Sequence, residues 1–115
     1  MDASGNGSLT NITMEGTINI FGDKKTNNPA VGGLVGILRN HNTAEAQFTI
    51  SGVNIATKTG STLSQRGYYD GGLVGLTSGN NLLLVGGAAE NEAVQIGNAP
   101  GSVNISKGNG GYNGF

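Results

Sequence analysis

The chain has 115 residues, 22 of them Gly and 15 Asn, with 11% charged residues, no Cys and no Trp, whereas ordinary domains carry about 7% Gly and about 25% charge. This composition excludes a helical bundle, a coiled coil, a disulfide scaffold and a thiolate metal site, and it fits one turn-dense β domain over 1–115. Six Lys and Arg stand against seven Asp and Glu, a net charge of −1, so no basic stripe is available for phosphates and nucleic acid is not an expected partner.

In chain order, Ile12-Thr13-Met14 and Ile18-Asn19-Ile20 read as short alternating strands. A polar insertion follows at 23–29; its basic pair, Lys24-Lys25, reads as part of a solvated loop. Gly32-Gly33-Leu34-Val35-Gly36-Ile37 is a third strand, and Arg39-Asn40-His41-Asn42 is a polar turn that leaves His41 on the surface. The pattern then returns as Phe48-Thr49-Ile50, Val53-Asn54-Ile55, an insertion at 57–69, and Gly71-Gly72-Leu73-Val74-Gly75-Leu76. Ser78-Gly79-Asn80-Asn81 carries a local hairpin signal between Leu76 and the apolar run 82–85. Within 88–93, Glu90-Asn91-Glu92 reads equally as a short helical turn or as a solvated loop. Val94-Gln95-Ile96, Val103-Asn104-Ile105, an insertion at 106–109 and Gly110-Gly111-Tyr112-Asn113-Gly114-Phe115 complete the chain.

The Gly-Gly frames begin at Gly32, Gly71 and Gly110, each 39 residues after the last. The glycines Gly32, Gly33, Gly36, Gly71, Gly72, Gly75, Gly110, Gly111 and Gly114, with Leu34 and Leu73, define this frame. Self-similarity with variable insertions predicts an all-β repeat solenoid, a parallel β-helix of about three coils. The alternative is a β-sandwich or β-prism whose Gly-Gly strands pair antiparallel. The expected core is Ile12, Met14, Ile18, Ile20, Leu34, Ile37, Phe48, Ile50, Val53, Ile55, Leu73, Leu76, Val94, Ile96, Val103 and Ile105. If the three apolar-Asn-Ile segments stack, Asn19, Asn54 and Asn104 form an amide ladder, unless Asn merely favours a turn there. Val31, Asp70 and Asn109 occupy one frame position, which their mixed chemistry marks as solvent-facing. The leading glycines read as close approach of neighbouring strands.

Little chemistry is encoded locally. No phosphate-binding glycine motif precedes a helix, and Gly110-Gly111-Tyr112-Asn113-Gly114 lacks the Asp of a nonapeptide calcium turn. The carboxylates are scattered, so no catalytic residue, cofactor or metal is expected. Tyr68, Tyr69 and Tyr112 are candidate ligand contacts, able to stack on sugar faces beside Asn and Asp side chains; their plainer reading is as loop residues. The apolar runs at 31–38 and 82–85 are far shorter than the ~18 residues of a membrane-spanning helix. No secretion signal follows Met1.

Gly33-Leu34-Val35-Gly36 and Gly72-Leu73-Val74-Gly75, each after another Gly, resemble the GLUG-motif repeats of bacterial surface proteins, as does the run from Gly7-Ser8-Leu9-Thr10-Asn11 through Glu15-Gly16-Thr17-Ile18. The third frame departs at Tyr112-Asn113, and 81–93 fits the pattern poorly. Such repeats occur in secreted adhesins and in the non-catalytic parts of immunoglobulin A metallopeptidases. The resemblance implies an extracellular or cell-surface location and a structural or adhesive role without catalysis; a glycan-binding module is the alternative. It also implies a segment of a longer array, whose strand edges would pair with another copy or bind a surface glycan or protein.

Overall fold

The computed structural model describes residues 1–3, 5–22, 28–40, 46–79 and 81–113, and the side chains among them other than those of 2, 3, 81 and 107–113. His41, Lys24, Lys25, Gly114 and Phe115, singled out above, lie outside these residues, as does the side chain of Tyr112. Among the described residues the chain forms β1 (Asp2–Ala3), β2 (Gly7–Met14), β3 (Thr17–Phe21), β4 (Ala30–Gly32), β5 (Val35–Asn40), β6 (Ala46–Ile55), β7 (Thr62–Gly71), β8 (Val74–Ser78), β9 (Asn81–Val85), β10 (Val94–Ile96) and β11 (Val103–Asn113), with a 3₁₀ turn at Glu90–Glu92. These build three sheets. Sheet A has the order β1-β5-β8; in sheet B, β6 lies between β2 on one side and β9 and β10 on the other; in sheet C, β7 lies between β3 and β4 on one side and β11 on the other.

Among the described residues every pairing is parallel. The sandwich or prism with antiparallel Gly-Gly strands is therefore absent. The expected repeat solenoid, a parallel β-helix, is corrected as well: the chain is a compact three-sheet body of 42 × 41 × 16 Å, with no elongated axis. Paired positions lie 39 residues apart between β5 and β8, 41 between β2 and β6, and 45 between β3 and β7, so no single period builds the sheets. Each sheet is at most three strands deep, which at about 4.8 Å per strand gives little height, whereas ten-residue strands such as β6 and β7 run about 33 Å. Strand length outweighs stacking, and the body is broad.

Strand β7 runs through what reads from sequence as the insertion 57–69, and β11 runs through the insertion at 106–109. The hairpin expected at 78–81 is not formed, because β8 pairs in sheet A with β5 whereas β9 pairs in sheet B with β6. The turn at Glu90–Glu92 is present.

All three sheets point apolar residues into one core. Leu38, Ile50, Val53, Ile55, Ala56 and Leu63 are fully buried, with Val35, Phe48, Leu73 and Val74 packed among them. On the Gly-Gly segments the inward residues are thus Val35, Leu38, Val74 and, as expected, Leu73, while Leu34, Ile37 and Leu76 are only half-buried. Ile105 remains 37% exposed, since β11 is the last strand of sheet C and nothing described covers it. A Cβ placed on Gly33 would overlap the Gly72 carbonyl oxygen, and Gly33 N–H donates to that same oxygen at 3.1 Å. The backbones therefore meet more closely there than a side chain allows.

The position shared by Val31 and Asp70 is not solvent-facing: Val31 is 5% and Asp70 1% exposed. The cause is a bulge. The N–H groups of Tyr68 and Tyr69 both donate to the Pro29 carbonyl, at 2.9 and 3.1 Å, so two residues of β7 oppose one, and the alternation of side chains shifts by one place. Gln65 and Asp70, five apart, would face opposite ways on a straight strand. After the bulge both turn inward, and Gln65 Nε2 donates to Asp70 Oδ1 at 2.6 Å and to the Gly71 carbonyl at 2.5 Å. Gln65 Oε1 and Asp70 Oδ2 are buried without a partner. Burial raises the Asp70 carboxyl above its ordinary value of 3.8, against the lowering effect of the Gln65 hydrogen bond.

On their outer sides β8 and β10 are bordered by no further strand among the described residues, so both are open sheet edges. No described helix is long and apolar enough to cross a membrane.

Candidate functional site

Sheet B carries a polar surface beside an open cleft. In register across its strands, Ile12, Val53 and Val94 turn inward, as do Met14, Ile55 and Ile96. Alternation then places Thr13, Asn54 and Gln95, which are also in register, together on the outer face. Their strands are about 4.8 Å apart, so the three side chains form a continuous polar rank.

One end of this rank is shaped by a paired backbone kink. Asn11 has φ 58° and Gly52 has φ 61°. They fall between the paired positions Thr10–Ser51 and Ile12–Val53, so both strands change phase at the same level. Left-handed backbone costs an ordinary L-residue about 1–2 kcal/mol, and Gly and Asn are the residues that tolerate it. Space matters too: a Cβ on Gly52 would lie 2.9 Å from Asn11 Oδ1 and 2.9 Å from the Asn91 carbonyl oxygen. Two oxygens thus converge over a position that only glycine leaves open.

The third wall is the 3₁₀ turn. Glu92 N–H donates to the Ala89 carbonyl at 3.0 Å, and Glu92 Oε1 accepts from Ala89 N–H at 3.2 Å. Val53 N–H donates to the Ala93 carbonyl at 3.2 Å, which ties the turn to β6. The result is an open cleft of about 340 Å³ lined by Asn11, Thr13, Gly52, Asn54, Glu90, Asn91, Ala93 and Gln95. Among the described residues, Glu90 is its single charged lining residue and no Lys or Arg borders it. The side chains of Asn11, Thr13, Asn54, Asn91 and Gln95 make no hydrogen bond to one another or to another described residue. Their donors and acceptors face the cleft's solvent.

Gly52→Ala is expected to destabilise the fold by about 1–2 kcal/mol from the backbone term alone, with crowding of Asn11 and Asn91 added. Urea unfolding checks this; an unchanged midpoint would mean that the kink is not held at φ 61°.

The expected amide ladder is not formed. Asn19 and Asn104 both lie opposite Ser64, on the two sides of β7 in sheet C, while Asn54 lies between Thr13 and Gln95 in sheet B. The glycines of the first two Gly-Gly frames lie at the sheet A–sheet C corner and line no part of the cleft. Tyr68 and Tyr69 are half-buried on β7 with ring centroids 4.9 Å apart at 81°, edge to face, and Tyr112 is paired in register with Tyr69. All three tyrosines thus belong to strands of sheet C, and neither Tyr68 nor Tyr69 borders the amide cleft of sheet B. Sequence reading missed Asn11, Gly52, Asn54, Asn91 and Gln95 as one site. Its signal was present: the triplets starting at Ile12, Val53 and Val94 recur every 41 residues, each apolar-polar-apolar.

Comparison of the chain with protein-family models, with curated proteins and with solved structures gives no match. The resemblance to GLUG repeats therefore rests on the quoted residues alone.

Proposed function

We propose that this chain is a non-catalytic carbohydrate-binding module, acting outside the cell, with the cleft of sheet B as its site. The observation that carries the reading is the rank Thr13–Asn54–Gln95 flanked by Asn11 and Asn91. A primary amide offers two donors and an acceptor, and a hydroxyl one donor and two acceptor lone pairs. A row of amides 4.8 Å apart therefore suits a ligand with many adjacent hydroxyls, each both donor and acceptor. At about 340 Å³ the cleft is at the small end of ligand sites, about 300–1,000 Å³, which suits a short stretch of glycan on an open face. Among the described residues no cation lines the cleft, which argues against anionic sugars as the preferred class, and a neutral or amino sugar fits the carboxylate of Glu90. If the glycan stands on a host or bacterial surface, the same contact makes the module adhesive.

A glycan array followed by calorimetry on the best neutral oligosaccharide tests this. Asn54→Ala should weaken binding about tenfold, as expected for loss of roughly 1.4 kcal/mol of hydrogen bonding. Tyr69→Ala should leave it unchanged. Binding lost with Tyr69→Ala and kept with Asn54→Ala would move the site to sheet C, and no binding to any glycan would overturn the reading.

A further inference from the structure

The two broad faces of the molecule are stepped, and the steps match. Strand β4 leads into β5 and β7 into β8, and Gly33 and Leu34 N–H donate to the carbonyls of Gly72 and Leu73, both at 3.1 Å. β5 therefore lies at the level of β4, and β8 at the level of β7. On one face β2, β3 and β4 are outermost in sheets B and C, and β1 stands one strand further out in sheet A. On the other face β9, β10 and β11 are outermost, and among the described residues β8 is the last strand of sheet A. Among the described residues, one face thus carries a tongue of one strand and the other a notch of one strand, in the same sheet.

Burial follows the same division. Middle-strand residues Phe48, Ile50, Val53, Ile55 and Leu63 are 0–5% exposed. Their inward-facing counterparts on the outer strands, Leu9, Ile12 and Ile18 on one face and Leu83, Val94 and Ile96 on the other, are only partly buried. Ile105 lies beside Gly72, its Cδ1 3.0 Å from where a Cβ would stand, and is still 37% exposed. Each face is a section through the apolar core, bordered by strand edges whose backbone groups point outward.

We propose that the occupant of each face is a second copy of this chain, stacked head to tail, with β1 of one molecule seated on β8 of the next. Because all pairings are parallel, such a junction extends every sheet in its existing sense, and the core continues through it. A face of 42 × 41 Å exceeds the ~800 Å² per partner that a standard interface buries. The contact is heterologous, joining two different surfaces, and heterologous contacts that do not close a ring give open assemblies. This association is independent of the carbohydrate cleft.

Sedimentation velocity from about 1 to about 100 µM, a range set by ordinary interface affinities, tests the proposal on the whole chain. The mean mass should at least double across the range. Ile20 lies on β3 opposite the buried Gln65, so Ile20→Lys damages the first face and Ile105→Lys the second; each variant alone should stay monomeric, with circular dichroism confirming that it is folded. Mixed in equal amounts, the two variants should form a dimer and nothing larger, through the one pair of intact faces. A monomeric wild type over the whole range overturns the proposal. Dimerisation of either variant alone also overturns it, since that would show like faces pairing.

Discussion

Replacing Leu63 by Ala is expected to destabilise the fold by about 2–5 kcal/mol, the range for a large-to-small change in a sealed core. Leu63 is 0% exposed. It sits on β7, whose backbone is bonded on one side to β3, where Ile18 is its partner, and on the other to β11, where Val103 is its partner. With strands fixed on both sides the site has little room to collapse, which favours the upper half of the range. Ile105→Ala on the outer strand is the comparison: it is part-exposed and should cost less than half as much. Equilibrium urea unfolding of both variants measures the difference. A Leu63→Ala cost below about 1 kcal/mol would mean that β7 is not the central strand of its sheet.

Asp70→Asn is expected to stabilise the protein at neutral pH by about 1–3 kcal/mol, the order of the desolvation penalty of a buried polar group, because it removes the buried charge. Asp70 is 1% exposed and its Oδ2 has no partner, while its Oδ1 already accepts from Gln65. An amide keeps an oxygen for the Gln65 bond, puts a neutral N–H where Oδ2 stood, and removes the charge that burial opposes. The pH dependence has a definite sign. The Asp70 carboxyl is raised above 3.8 in the folded chain, chiefly by desolvation, so the native state holds its proton at pH values where the unfolded chain has lost it. The contribution of protonated Asp70 is complete below 3.8 and is lost as pH rises through the raised folded value. The wild type should therefore gain stability on mild acidification from neutral pH, and Asp70→Asn should lose that slope. Thermal melts at steps of pH would settle it; a variant less stable than wild type at neutral pH, with the slope retained, would show that the ionised carboxylate is what the fold uses.

Both results depend on residues whose roles were legible to different degrees. Composition and alternation were enough for an all-β chain, for the inward set Phe48, Ile50, Val53 and Ile55, and for the close backbone approach at the Gly-Gly segments, because these follow from local chemistry. Register was misread. The sequence pairs Ile18-Asn19-Ile20 with Val53-Asn54-Ile55 by likeness, whereas the chain pairs Ile18 with Leu63 and Val53 with Ile12. Likeness between segments reports a shared burial pattern, and every strand with one inward face shares it.

What the sequence by itself determined is the kind of strand this chain makes: short, glycine-punctuated and apolar on one side, with few charges. Tertiary structure decided which strands meet and where the alternation breaks. The bulge at Tyr68–Tyr69 exists because one carbonyl, that of Pro29, accepts from both residues, and it alone turns Asp70 inward. The cleft exists because Asn11, Gly52 and Asn91, 39 to 80 residues apart in the chain, converge where two strands kink at one level. Such features arise from backbone hydrogen bonds between distant segments, and a side-chain pattern read along a single strand carries no record of them.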